Sequence, residues 1–461
     1  MTRRSFLLAS AAGLSCSRPP DAPAKPPNVF LVIGDDMSWY DAGCYGSRQS
    51  NTPNIDRLAS QGMKFNRAYT ATAMCAPMRQ QLYTGIFPVR NGAYPNHSRS
   101  KDGVRSIPHY FEPLGYRVGL WGKEHFGPQE NYPFEKLGSR RDDDMEYDKI
   151  KEFVDRDSEQ PYFVVVCSHD SHLPYESGDP SKYDAATLEL PPYLYDSPKV
   201  RDSYAKYLAE VEHLDEQTGE CMRIVEESDR AAETIFIFCS EQGSQFAGAK
   251  WTCYEAGLRE AWIVSWPNRV AAGSTTDAMV QGVDAVPTLI QAAGGDPSQH
   301  DFDGSSYLAV LEGKSETHGE YVFGVHTTNG IIAGSENYPV RSVRNERYKL
   351  IWNLNHQARF ENIVTAGRDR TDYWDEWVSA ATTDPEAAKV VRRYQQRPEF
   401  ELYDLDNDPW ELNNLAGEAD QAATVASLRS TIESFMEQQG DRGVETEAEA
   451  GSRRIRAATP A

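Results

Sequence analysis

The stretch Cys75-Ala76-Pro77-Met78-Arg79-Gln80-Gln81-Leu82-Tyr83-Thr84-Gly85 holds the most reactive arrangement in the sequence. Pro77 is suited to open a helix and Gly85 to close it. Cys75 then lies at the positive end of that helix, where free amide groups stabilise an anion. Arg79 stands four residues on and shares its face. Taken alone, the pattern fits either a thiolate nucleophile or a buried cysteine ahead of a helix.

A second set of candidates stands where apolar runs end. Asp35 and Asp36 follow Asn28 to Gly34 (NVFLVIG), His169 and His172 follow Tyr162 to Ser168 (YFVVVCS), and Glu241 and Gln242 follow Thr234 to Ser240 (TIFIFCS). Packing does not call for polar residues there. In open parallel sheets, ligands bind just beyond the carboxyl ends of the strands. Oxygen donors gathered at such a rim suit a hard cation such as calcium.

The elements that must position these groups are legible as an α/β alternation. Arg117 to Trp121 and Ala261 to Trp266 (AWIVSW) are further short apolar runs. Runs that are apolar at nearly every position suit strands of a parallel sheet buried on both faces. Helical stretches lie between them, at Asn54 to Gln61 and, long and charged, at Asp202 to Ser228. The character changes near Tyr321: Arg341 to Asn353 (RSVRNERYKLIWN) predicts a hairpin, Glu401 to Leu405 another strand, and Asp420 to Gln439 a terminal helix. The organisation expected is a leader and Pro-rich linker over 1–27, a catalytic domain over 28–320, a small antiparallel α+β subdomain over 321–440 and a disordered tail over 441–461. Asp142-Asp143-Asp144 predicts a solvated turn before a helix.

Composition narrows the partners. The chain has 461 residues, 39% of them hydrophobic, and a formal net charge of −22. That charge argues against nucleic acid or an anionic membrane as the main partner, so an anionic substrate needs a local cationic pocket. Thr2-Arg3-Arg4-Ser5-Phe6-Leu7, with the apolar run to Leu14, looks like a twin-arginine export signal. The run is shorter than the ~20 residues a membrane span needs, and no other segment qualifies. A periplasmic or extracellular location follows. Cys16 stands where a lipoprotein cysteine would, but Gly13 and Leu14 fit that acceptor pattern poorly, so anchoring there is not favoured. Seven cysteines without CxxC or regular spacing indicate neither a zinc site nor a disulfide framework.

Cys-x-Pro-x-Arg with Leu82 and Thr84-Gly85 downstream resembles the signature of the formylglycine-dependent sulfatases. Further segments resemble that family in order: IGDDMSWYDAGCYG at 33–46, TPNIDRLASQGMKFNRAY at 52–69, GLWGKEHFG at 119–127, CSHDSHLPY at 167–175 and SEQGSQFAGAKW at 240–251. The chain departs from the family at Met78, usually Ser or Ala, and at Glu241-Gln242, usually Asp followed by Asn or His. Each of the latter is longer by one methylene but keeps its oxygen donor, a carboxylate or an amide.

The resemblance implies an alkaline-phosphatase-like sandwich with a large, mostly parallel sheet flanked by helices. It implies one calcium ion held by Asp35, Asp36, residue 75, Glu241 and Gln242, with Cys75 oxidised to formylglycine by a dedicated maturase. Arg79, Lys123, His125 and Lys250 are implied as the groups around the sulfate, with His172 as proton donor to the leaving group. His169 is then structural or a substrate contact. His326, Arg341 and His356 are weaker candidates for reaching a sugar from the C-terminal subdomain. Because twin-arginine export carries folded proteins, the cysteine would be oxidised in the cytoplasm.

Three segments resemble the N-sulfoglucosamine sulfohydrolase branch more specifically: GKEHFGPQENYPFE at 122–135, YPVRSVRNERYKLIWNLN at 338–355 and FELYDLDNDPWELNNLA at 400–416. They imply an exo-acting pocket enzyme on a sulfated saccharide, without deciding N-sulfate against O-sulfate. Two other readings stand beside this one: a phosphoryl or phosphonate ester hydrolase of the same superfamily, and a catalytically silent sulfoglycan-binding relative.

Overall fold

A computed structural model describes residues 25–139, 145–367 and 371–455. The twin-arginine segment, Cys16 and Asp142-Asp143-Asp144 lie outside the described residues. The strands are β1 (Asn28–Gly34), β2 (Met63–Tyr69), β3 (Arg117–Gly122), β4 (Glu135–Gly138), β5 (Tyr162–Cys167), β6 (Thr234–Ser240), β7 (Arg259–Ser265), β8 (Ser274–Thr276) and β9 (Val280–Gln281) in a first sheet. A second contains β10 (Val322–His326), β11 (Val340–Arg344), β12 (Tyr348–Asn353) and β13 (Phe400–Asp404).

The nine-stranded sheet has the order β4-β3-β5-β1-β6-β7-β2-β8, with β9 also on β2. At its centre β1 pairs in parallel with both β5 and β6, aligning Ile33 with Cys167 and Gly34 with Ser240. This register brings the ends of the three strands level, so the residues that follow them emerge side by side. Alternate residues of β1 feed two cores: Phe30 and Val32 pack on one face, and Val29, Leu31 and Ile33 on the other. Burying a side chain of this kind contributes about 1.5–3 kcal/mol, which explains why the run has no polar alternation.

The structure corrects one strand direction. Ala261 to Trp266 predicts a parallel strand, but β7 runs antiparallel to both β6 and β2. All its residues but Arg259 are buried, and a run buried on both faces looks alike in either direction.

Helix α1 (Pro53–Gln61) begins on the carboxylate of Asp215, which accepts the Ile55 amide at 2.7 Å and the Asn54 amide at 3.2 Å. Asp215 belongs to the long helix Pro198–Glu226. The second sheet is antiparallel, in the order β10-β11-β12-β13. The helix Ala422–Gln439 packs Leu428, Ile432 and Met436 against Val343, Leu350 and Leu402 of that sheet. A buried ionic belt joins the two sheets: Lys349 reaches Glu255 at 3.1 Å and Glu411 at 3.2 Å.

The tail is also corrected. Val444–Glu449 form a helix and Ala450–Arg453 a further turn. Asp441 is buried in an ion pair with Arg341, and Glu447 is 1% exposed. The polar composition of this segment serves long-range partners that local sequence does not reveal. Among the described residues no helix is long and apolar enough to cross a membrane.

Candidate active site

Helix α2 (Cys75–Thr84) is buried along its whole length. It starts at Cys75 itself, with Pro77 in the first turn, and ends on Gly85 (φ 69°), whose amide donates to the Gln81 carbonyl at 3.0 Å. A left-handed residue there favours glycine. The next element of support is Gln80. Its amide donates to the Ser98 carbonyl at 3.0 Å, and its Oε1 accepts the Ser100 amide at 3.0 Å and the Tyr132 hydroxyl at 3.2 Å. The helix is thereby stitched to the loops beside it.

Cys75 faces the ends of β1 and β6. Its Sγ lies 3.8 Å from Asp35 Oδ1 and 3.9 Å from Asp36 Oδ1, and Gln242 Nε2 donates to it at 3.5 Å. One ligand atom each from Asp35, Cys75 and Glu241 falls within 4.8 Å of the others. Gln242 Nε2 also donates to Asp36. Asp36 itself has a positive φ of 59°, a conformation costing about 1–3 kcal/mol that surrounding structure must hold. The Asp35 amide, bonded to the Asp170 carbonyl at 2.8 Å, fixes one side of the turn. On the other side Ser38 N donates to Tyr207 Oη at 2.9 Å, and Tyr204 and Tyr207 both donate to Asp41.

Three cations answer the three carboxylates. Arg79 pairs with Glu241 and donates to the Lys123 carbonyl at 3.1 Å. Lys123 pairs with Asp35 and stands 4.0 Å from Glu241. Lys250 pairs with Asp36. Burial raises the Cys75 thiol, but Lys123 and Lys250 outweigh it and hold the thiol well below its usual range. Burial likewise raises Asp35, and Lys123 with His172 reverses the shift, leaving that carboxyl well below the usual range. For Asp36 burial prevails over Lys250, and for Glu241 over Arg79, so both carboxyls sit above the usual range.

His172 Nδ1 donates to the Leu173 carbonyl at 2.6 Å, leaving Nε2 directed inward, 3.6 Å from Asp36 Oδ2. His169 begins the same loop, and its carbonyl accepts the His172 amide at 3.2 Å. The loop is held from below by Asp170, whose carboxylate accepts from His213 at 2.9 Å and Gln217 at 2.7 Å. His125 lies beside the thiol, and burial pushes its pKa down to about 4.

Three expected sugar contacts lie elsewhere. Arg341 is 0% exposed and committed to Asp441 and the His326 carbonyl. His326 is fully buried with its ring against Phe360. His356 lines a different cavity, with Arg359, Gln396 and Arg397. Two residues of the site went unread in the sequence. Gln80 had only its position after Arg79 as a signal. His97, whose Nδ1 lies 2.8 Å from His125 Nε2, had none, because nothing in its spacing ties it to the motif.

The donor set fits a hard divalent ion. Glu241 Oε1 and Gln242 Oε1 are buried and have no hydrogen-bond partner among the described residues, which is costly unless a donor or a cation meets them. Carboxylate and amide oxygens around one point are the ligands calcium takes.

A mostly parallel sheet whose central strands deliver acids and an amide to the cysteine that opens a buried helix is the arrangement of a hydrolase of the sulfatase class, and this chain belongs to the sulfatase family. The "Sulfatase" family model matches residues 27–295, and that of "N-sulphoglucosamine sulphohydrolase, C-terminal" matches residues 247–369. An ulvan-active sulfatase of Formosa agariphila is 32% identical over 429 residues, covering 91% of this chain and 81% of that protein. The human N-sulphoglucosamine sulphohydrolase is 27% identical over 471 residues, covering 89% of each. A protein solved in complex with its substrate D-glucosamine-2-N,6-O-disulfate superimposes with a TM-score of 0.69 at 20% identity, covering 91% of this chain and 99% of that one. The phosphonate monoester hydrolase of Agrobacterium radiobacter does so at 0.67 and 18%, covering 90% and 96%. These likenesses agree with the alkaline-phosphatase-like fold, and the family makes the chain a hydrolase of sulfate esters or N-sulfates.

Proposed function

We propose that this chain is an exported sulfatase that removes O-sulfate or N-sulfate from a sulfated saccharide, with residue 75 carried as formylglycine and one calcium ion. The observation that carries the reading is the convergence of Asp35, Asp36, Cys75, Glu241 and Gln242 inside a ring of Arg79, Lys123 and Lys250. The saccharide is suggested by the ulvan-active and N-sulphoglucosamine relatives.

Asp35, Asp36, Glu241 and Gln242 would hold the ion together with residue 75. Bound there, calcium would supply positive charge to the sulfate and lower the cost of ionising a hydroxyl. Formylglycine, in the place of the thiol, would supply a hydrate oxygen as nucleophile. Lys123 and Lys250 bind and neutralise the sulfate oxygens, which pre-set charges do without reorganisation. Arg79, locked by the Lys123 carbonyl and Glu241, orients both. The Nδ1–H bond to the Leu173 carbonyl orients His172 so that Nε2 faces the leaving oxygen or nitrogen, and the ring gives it a proton from Nε2 when it is the doubly protonated imidazolium. A maturase must reach Cys75 before the chain folds, since the residue is 2% exposed, and the twin-arginine machinery would export the folded product.

Mass spectrometry of the peptide spanning residue 75 should find the thiol's sulfur and two hydrogens exchanged for one oxygen. The same material should desulfate members of a sulfated-sugar panel faster than matched phosphate or phosphonate esters. Cys75→Ala with turnover like the parent, or a preference for the phosphorus esters, would reject the reading.

A further inference from the structure

The C-terminal segment lies beyond both family matches, yet it is built into the rim of the site. Ser98 and Arg454 form an antiparallel bridge. Arg99 N donates to the Arg453 carbonyl at 2.9 Å, and Ile455 N donates to the His97 carbonyl at 2.8 Å. The Arg453 guanidinium reaches the Gly92 carbonyl at 3.0 Å and the Arg99 carbonyl at 2.9 Å. A second rim loop is tied by Glu447, whose Oε1 accepts from Thr328 N at 3.0 Å, Thr328 Oγ1 at 3.1 Å and Asn329 N at 3.0 Å. Thr327 Oγ1 then donates to the Tyr94 carbonyl at 3.2 Å, which joins the two loops.

His97 sits in the first of these loops with φ 53°, opposite His125 with φ 50°. Neither residue is a glycine, so each conformation must be imposed by its neighbours. The rings lie 4.8 Å apart, with His97 Nδ1 2.8 Å from His125 Nε2. This contact uses Nε2 of His125. It leaves Nδ1, buried and, among the described residues, otherwise without a hydrogen-bond partner, for the side chain of residue 75. If Nδ1 carries the hydrogen toward residue 75, Nε2 must accept, and His97 must donate from Nδ1. One hydrogen bond therefore fixes the rotation of His125 and ties its tautomer to that of His97.

We propose that His97 is the positioning residue for His125, and that the segment 441–455 is the clamp that holds it in register. The inference rests on the proposed sulfatase site but makes a separate claim about it. A positioning partner of this kind is worth about 10- to 100-fold in activity.

His97→Ala, His97→Asn and Arg453→Ala test the inference in the full chain. His97→Ala should lower kcat by about 10- to 100-fold, with KM, aldehyde content, calcium affinity and unfolding midpoint close to the parent. His97→Asn, which keeps a donor near the same place, should recover most of the loss, and Arg453→Ala should lower kcat severalfold. Nitrogen NMR of labelled histidine supplies a readout free of turnover: His125 should carry its hydrogen on Nδ1 in the parent and a mixture in His97→Ala. His97→Ala with parental kcat, His97→Asn no better than alanine, or an unchanged His125 tautomer would overturn the proposal. If the parent desulfates nothing but the tautomer shifts as stated, the positioning inference stands and the substrate reading fails.

Discussion

Replacing Lys123 by alanine separates a sulfate-binding charge from a metal-holding one. Its side chain is 14% exposed, and its ammonium contacts Asp35 and lies 4.0 Å from Glu241, so it addresses the point where the ligands converge. A unit charge about 4 Å from an anionic oxygen, at an effective dielectric of about 20, contributes about 4 kcal/mol. Water entering the vacated space recovers up to about half of that, so kcat/KM should fall by about 30- to 1000-fold. Calcium affinity should move the other way or hold, because a cation competing for Asp35 has been removed. Lys123→Arg should fall between the two, with its charge kept and its shape changed. The assay is steady-state desulfation of the best panel sugar, paired with calorimetric calcium titration of the same preparations. A Lys123→Ala enzyme within threefold of the parent, or one that loses calcium in step with activity, would refute the assignment.

Gln242→Ala should weaken calcium at least about tenfold, and chelation should abolish turnover reversibly; unchanged titration curves would remove Gln242 from the ligand set. Asp441→Ala strands the buried Arg341 charge and should cost about 3–5 kcal/mol in urea unfolding, with a loss under about 1 kcal/mol counting against that pair as an anchor. Asp41 predicts a pH dependence. Burial raises its pKa from 3.8 to about 7, so the folded state keeps the proton that the unfolded chain has already released. Stability from this group is full below the unfolded value and is lost as pH rises through about 7. The parent should lose about 3 kcal/mol between about pH 5 and pH 8 from this source, and Asp41→Asn should flatten the profile. An equally steep profile in the variant would contradict the argument.

The centre of the site was legible because its donors follow strands whose burial writes them into the sequence. Val29 to Ile33, Tyr162 to Cys167 and Ile235 to Cys239 are unbroken buried apolar runs, and the acids, histidines and amide after them stand out against that background. The limits of α2 were legible through Gly85 and, two residues late, Pro77. What escaped depends on distance along the chain. The direction of β7 leaves no mark on a run buried on both faces. His326 and Arg341 looked available for a sugar because their buried partners, Phe360 and Asp441, are remote in sequence. The clamp looked like a disordered tail because its acids find their amides and guanidinium a hundred or more residues away, at Thr328 and Asn329 or, for Asp441, at Arg341. His97 acquires meaning only when that clamp pins its backbone beside His125.

The complete burial of α2 has an effect on how the protein must be produced. If residue 75 is converted as proposed, a helix buried along its whole length cannot be drawn out into a modifying enzyme once the chain has folded, so each newly made molecule would have one brief opportunity for its conversion. Synthesis that outpaces the modifying step would leave a fixed mixture of active and inert copies. Supplying more of the modifying activity afterwards would not change that ratio unless the inert copies were first unfolded.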